Sequence, residues 1–190
     1  MVPVLSLPNL NDWQAEYFSR KTSYQLVTID NQRAIKAISQ GTASGLVRKL
    51  EVDLTRTPYL NWSWKVDAPL HGLKESSKQG DDYVARVYVI ISGDVFFWRT
   101  RAISYVWASQ QPKYSNWPNA YTDKSQMIAM ESGAALSGQW VTERRNVLED
   151  IKKLHGINPT HIDAVAIMTD TDNSKQSATA WYGDIYFSAQ

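Results

Sequence analysis

The chain has 190 residues, 43% hydrophobic and 21% charged, with 20 basic residues against 19 acidic ones and no cysteine. That make-up describes a single globular domain over 1–190 with enough apolar surface to bury a core. The balanced charge lacks the electrostatic footprint of a phosphate-binding protein, so nucleic acid is not an expected partner, and without cysteine there are no disulfides, thiolate metal sites or cysteine nucleophiles. No apolar run approaches the roughly 20 residues that a transmembrane helix needs. The opening stretch Met1 to Pro8 has neither the basic n-region nor the full apolar h-region of a signal peptide.

Alternation bounded by turn residues predicts strands at Tyr24 to Ile29 and Arg33 to Ile38, joined as a hairpin through Asp30-Asn31-Gln32. Gly41-Thr42-Ala43-Ser44-Gly45 breaks the chain before a strand at Leu46 to Asp53. The next, Tyr59 to Val66, sends Leu60, Trp62, Trp64 and Val66 to one side, an apolar set that reads as core. Tyr83 to Ile91 places Tyr83, Ala85, Val87, Val89 and Ile91 on the buried side, and Val84, Arg86, Tyr88 and Ile90 on the other. Arg86 on a sheet face needs a carboxylate or a ligand anion, and Asp184 is one candidate partner. Ala102 to Ala108 carries Tyr105 and Trp107 on one side, read here as the face of Arg86 and Tyr88. Gln110 to Asp123, centred on Trp117-Pro118-Asn119, is the longest loop.

Strands at Gln126 to Glu131 and Gln139 to Glu143 lead to one helix, whose stripe is Val147, Leu148, Ile151 and Leu154. Asn146 and Glu149 resemble a capping box, and His155-Gly156 before Pro159 supplies the stop. Two more strands follow, Ile162 to Thr169 and Thr179 to Phe187, the last putting Asp184 with Tyr182 and Tyr186 and away from Trp181, Ile185 and Phe187. About ten short strands and one surface helix make an all-β sandwich or barrel.

Candidate chemistry gathers in two acidic turns, Gly80-Asp81-Asp82-Tyr83 and Asp170-Thr171-Asp172-Asn173. The second fails as a helix-loop-helix calcium loop, because Lys175 stands where glycine is needed and Trp181 where the bidentate glutamate belongs. A calcium site tying β-sandwich loops together stays open, with Asp170 and Asp172 as ligands and Asn173 and Asp81 or Asp82 in support; the other reading is that these residues cap their own turns. His71, His155 and His161 lack the spacing of a zinc site. Nucleophile-elbow, P-loop and dinucleotide motifs are absent. Paired carboxylates suit glycosidases, but neighbouring strand residues point apart, so Asp81 and Asp82 face one substrate only if still in a turn.

The segments Ser44-Gly45-Leu46, Leu60 to Val66, Gly80 to Val89, Tyr105-Val106-Trp107, Trp117-Pro118-Asn119, Trp140 to Asn146 and Met168 to Asn173 resemble a bacterial family known as domain of unknown function 3047. The resemblance spans nearly the whole chain and implies an exported protein of the periplasm or cell envelope. Trp181 to Phe187 is also similar to the last strand of galactose-binding-like jelly rolls, which implies a jelly-roll β-sandwich of two antiparallel sheets whose concave face or edge loops bind glycans, often beside a structural calcium.

The expected function is thus a noncatalytic module for a carbohydrate or envelope glycan. Stacking is assigned to Trp107, Trp117 or Tyr88, and polar contacts to Asp81, Asp82, Arg86, Asp170, Asp172 and Asn173. Two alternatives are a polysaccharide lyase using Tyr88 or Tyr105 as base and acid with Arg86 on a uronate, and an interaction subunit with a protein partner and no small ligand.

Overall fold

The computed structural model describes residues 10–91 and 101–190; Met1 to Pro8, tested above for a leader, lies outside the described residues. Twelve strands and one α-helix follow in order: β1 (Gln14–Tyr17), β2 (Ser23–Ile29), β3 (Gln32–Gln40), β4 (Ala43–Asp53), β5 (Tyr59–Val66), β6 (Ala85–Ile91), β7 (Arg101–Ala108), β8 (Asn116–Pro118), β9 (Ser125–Ser132), β10 (Val141–Asn146), α1 (Val147–His155), β11 (His161–Asp170) and β12 (Ser177–Ser188). They form a seven-stranded sheet, β1-β4-β11-β6-β7-β9-β8, and a five-stranded sheet, β10-β5-β12-β3-β2. This is a jelly-roll sandwich, antiparallel except where β7 and β9 run parallel. Among the described residues no helix is long and apolar enough to cross a membrane.

Alternation explains the core. Leu60, Trp62, Trp64 and Val66 of β5 are fully buried, and so are Val87 and Val89 of β6 and Ile103, Tyr105 and Trp107 of β7. Their rings meet between the sheets: Trp62 lies edge-on to Trp64 at 5.5 Å and 5.2 Å from Tyr105, and Trp64 lies 5.9 Å from Trp107. Such pairs add to the burial of large apolar area. The hairpin between β2 and β3 turns on Asp30 and Asn31, both at positive φ. Helix α1 has the expected ends, with the Asn146 side chain accepting from the Glu149 amide and Gly156 in the left-handed conformation.

Three face assignments change. Tyr83 and Val84 precede β6, so alternation does not govern them: Val84 joins the main core and Tyr83 a satellite cluster on the far side of the sheet. Arg86 pairs with Val106, and Val87 with Tyr105, so Tyr105 and Trp107 share the core face and not that of Arg86. In β12 a bulge between Tyr182 and Ile185 absorbs one residue. Tyr182 therefore joins Ile185 and Phe187 in the core while Asp184 is exposed on the other sheet, and Asp184 is not the partner of Arg86.

Glu131 of β9 and Glu143 of β10 are both buried at one edge of the sandwich. Burial, and after it Glu131, pushes the Glu143 carboxyl up to about 8, while Lys113, paired with Glu131, pulls it back.

Candidate functional site

The outer face of the seven-stranded sheet carries a groove of about 390 Å³. Register builds it row by row: Val47, Ala166 and Tyr88 lie side by side across β4, β11 and β6, then Gly45, Met168 and Arg86, then Ala43 and Asp170. Ala43, Gly45 and Ala166 are small, and that is what hollows the face. Beside them Glu16 of β1 opposes Gly45, and Phe18 follows, its amide donating to the Ala43 carbonyl at 3.0 Å. Asn119, Tyr121, Thr122 and Ser125, from the segment between β8 and the start of β9, make the opposite wall. Phe18 and Tyr121 are 58% and 56% exposed, so two aromatic side chains stand at the groove with much of their surface in water.

The polar end of the groove is a buried network. Arg86, 3% exposed, donates from Nε to Asp170 Oδ1 at 2.8 Å and from Nη2 to Asp170 Oδ2 and to the Asp81 carbonyl, the last at 2.7 Å. Its Nη1 lies 3.8 Å from Asp81 Oδ2, and its guanidinium sits 4.3 Å from the centre of the Tyr83 ring. Burial works to lower the Arg86 pKa, but Asp170 and then Tyr88 and Asp81 hold it well above the ordinary value. Burial pushes the Asp170 carboxyl up, and the guanidinium on its two oxygens works against that rise. Asp81 is raised by burial too, partly offset by Arg86 and by Asn119, whose Nδ2 donates to both Asp81 oxygens at 3.1 and 3.0 Å.

Local structure fixes each member. Gly80 ends a short 3-10 turn where a Cβ would lie 2.3 Å from the Lys74 carbonyl oxygen, so only glycine fits and the chain swings directly into Asp81 and Asp82. Buried Glu75 anchors this segment, its carboxylate accepting from the amides of Ser109, Gln110 and Gln111 at 2.7, 3.1 and 3.0 Å. Asp82 points away from Asp81 and accepts from the Asn173 amide and Nδ2 and from the Ser174 amide, which ties the turn after β11 to the entry of β6. Tyr182 reaches across from the five-stranded sheet, donating to the Met168 carbonyl at 2.6 Å and accepting from the Arg86 amide at 3.2 Å.

The structure thus brings seven of the expected site residues together: Asp81, Asp82, Arg86, Tyr88, Asp170, Asp172 and Asn173. Two do not serve as expected. Trp107 is 1% exposed in the inter-sheet core, its indole donating to the Gly133 carbonyl, and cannot stack on a ligand. Trp117 is buried behind the site, 6.4 Å from Tyr83. The sequence reading missed Phe18, Tyr121, Asn119 and Glu16, of which only Asn119 lay within a noted motif. Of the two tyrosines expected for a lyase, Tyr105 lies in the core and Tyr88 at the groove. Tyr105 is fully buried and donates to Asp150 at 2.8 Å, and burial pushes Tyr88 up to about 12, the wrong direction for a base.

Oxygens of Asp82, Asp170 and Asp172 lie within 4.8 Å of one another, so these are the residues that could hold a cation. Both oxygens of Asp170 are engaged by Arg86 and both of Asp82 by N–H donors of 173 and 174, so a cation there would share those oxygens with donors already in place. Asp172 alone of the three is partly exposed; burial and the neighbouring Asp82 raise its pKa.

A two-sheet jelly-roll sandwich is a fold this chain shares with solved carbohydrate-binding modules and with enzymes. The molecule superposes on the family 30 carbohydrate-binding module of a Clostridium thermocellum cellulosomal cellulase with a TM-score of 0.52 at 11% identity, over 94% of this chain and 92% of that one. The xyloglucanase domain of NopAA, a type three effector from Sinorhizobium fredii solved with cellobiose, gives 0.50 at 10% identity over 94% and 93%. A cellulose induced protein gives 0.50 at 10% identity over 96% and 93%. At these identities the likeness is one of fold, shared by binding modules and enzymes. The chain belongs to the family described as Protein of unknown function (DUF3047), whose model matches residues 11–186. A search of curated proteins gave no match.

Proposed function

We propose that this domain is a noncatalytic glycan-binding module and that its ligand lies in the groove of the seven-stranded sheet. One observation carries the reading: an open cavity of about 390 Å³ whose floor is small and apolar, with exposed aromatics at its walls and amides and carboxylates at one end. Sugars present flat C–H faces and a rim of hydroxyls, so Phe18, Tyr121 and half-buried Tyr88 supply stacking while Asn119, Asp172 and Asn173 supply polar partners. Arg86, Asp81, Asp82 and Asp170 hold that end rigid, so the polar groups are in place before binding. The carbohydrate-binding neighbours of the same fold support this choice of ligand class.

A catalytic reading has less to stand on. The carboxyls of Asp81 and Asp82 point into different hydrogen-bond sets, Tyr105 is buried in the core, and burial raises Tyr88 away from the range of a base. A thermal-shift screen of the purified domain against a panel of soluble glycans, with and without calcium, tests the proposal. The expected result is a rise with at least one glycan, no rise with calcium alone, and no reducing ends or unsaturated products on long incubation. A flat response to every glycan, or turnover of the bound one, overturns it.

A further inference from the structure

We propose that the groove selects by charge, taking uncharged sugars and turning away uronic acids. This inference rests on the glycan-binding reading and names the class of ligand within it. Among the described residues four carboxylates line the groove, Glu16, Asp81, Asp170 and Asp172, against one cation, Arg86. A lone arginine in a groove usually invites an anion, and here it does not. Its Nε and Nη2 are given to Asp170 and the Asp81 carbonyl, Nη1 faces Asp81, and Tyr83 covers the guanidinium face. Arg86 therefore spends Nε and Nη2 on its own wall, and its charge is already matched by Asp170 and Asp81.

The surrounding charges point the same way. Buried Asp82 adds a fifth carboxylate just behind the groove, beside Asp172. Of the nearby cations, Lys78 lies over the Tyr121 ring at 5.3 Å and Lys175 is bonded to the Asp172 carbonyl. Among the described lining residues acid groups outnumber bases, and burial and then Asp82 raise the Asp172 carboxyl, as they would a further negative charge placed beside it. A partly desolvated carboxylate close to two such groups loses about tenfold in affinity or more, while a neutral sugar ring with the same shape does not.

Matched pairs provide the test: β-1,4-glucan with β-1,4-glucuronan, amylose with its C6-oxidised form, and xylan with glucuronoxylan, titrated calorimetrically into the whole domain at low salt. In every pair that binds, the neutral member is expected to bind at least about tenfold tighter, and the gap to narrow in roughly 0.5 M salt, where the Debye length is only a few ångströms. Glu16→Gln, at an exposed edge position where folding is not at risk, should narrow it too, and Asp172→Asn more so. An acidic member that binds as tightly as its neutral partner, or a gap indifferent to both salt and Glu16→Gln, overturns the inference while leaving the binding reading intact. If no member of any pair binds, the binding reading falls and this inference with it.

Discussion

The two faces of the seven-stranded sheet are made by the same strands, yet they do opposite things with aromatic side chains. Its inner face, through Tyr105 and Trp107, meets Trp62 and Trp64 of the other sheet in close ring contact and leaves no space. Its outer face puts Ala43, Gly45 and Ala166 where large side chains would otherwise stand, and the exposed aromatics, Phe18 and Tyr121, come from outside the central strands. Abundance of tryptophan therefore says little about where a ligand binds. The size of the residue at each alternating position decides it, because a groove needs absent side chains as much as present ones.

The largest effect that would break this contrast is Trp107→Ala, expected to destabilise the domain by about 3–5 kcal/mol in denaturant unfolding while the folded fraction keeps its glycan affinity. Lost affinity with unchanged stability would move the site to the inner face. Arg86→Leu should cost a similar amount, about 3–5 kcal/mol, since it leaves Asp170 buried without its partner; a stability loss below about 1 kcal/mol would show the polar end to be held by something else. Tyr121→Ala sharpens the comparison from the other side, with binding weakened roughly fivefold, or about 1 kcal/mol, by calorimetry and melting within about 0.5 kcal/mol of wild type. A further effect, spread over several pH units, concerns the Glu131 and Glu143 edge. A carboxyl held above its unfolded value keeps its proton better in the folded chain, so its contribution to stability is full below the unfolded value near 4.3 and fades as pH climbs through about 8. The melting temperature of wild type relative to Glu143→Gln should accordingly fall between pH 5 and 8, roughly the span between those two values, and level off above it. A relative stability that rises over that range would contradict the assignment.

Much of this was legible in the sequence, for identifiable reasons. The ten expected strands all exist, some marked by alternation and others, such as β6 and β11, by short apolar runs bounded by turn residues. Helix α1 was readable from its stripe and both caps. β1 was missed because Gln14–Tyr17 is exposed throughout and so has no alternation, and β8 because three residues carry no period. The acidic turns and Arg86 were found as unusual residue types, but their pairing was not. A bulge at Gly183 and Asp184 removed Asp184 from the arginine's face, and no period-2 argument sees a bulge coming. Phe18 and Tyr121 escaped for a similar reason: each lies just beyond a short edge strand, where no alternation assigns a face.

The central claim is that a glycan sits on the outer face of the seven-stranded sheet. Backbone amide NMR of the labelled domain, titrated with the glycan that gives the largest thermal shift, addresses it residue by residue. Shifts confined to β4, β6, β11, Phe18 and the Asn119 to Ser125 wall are the predicted result. Shifts centred on Trp181 and Lys36 of the five-stranded sheet, with the groove unmoved, would contradict it.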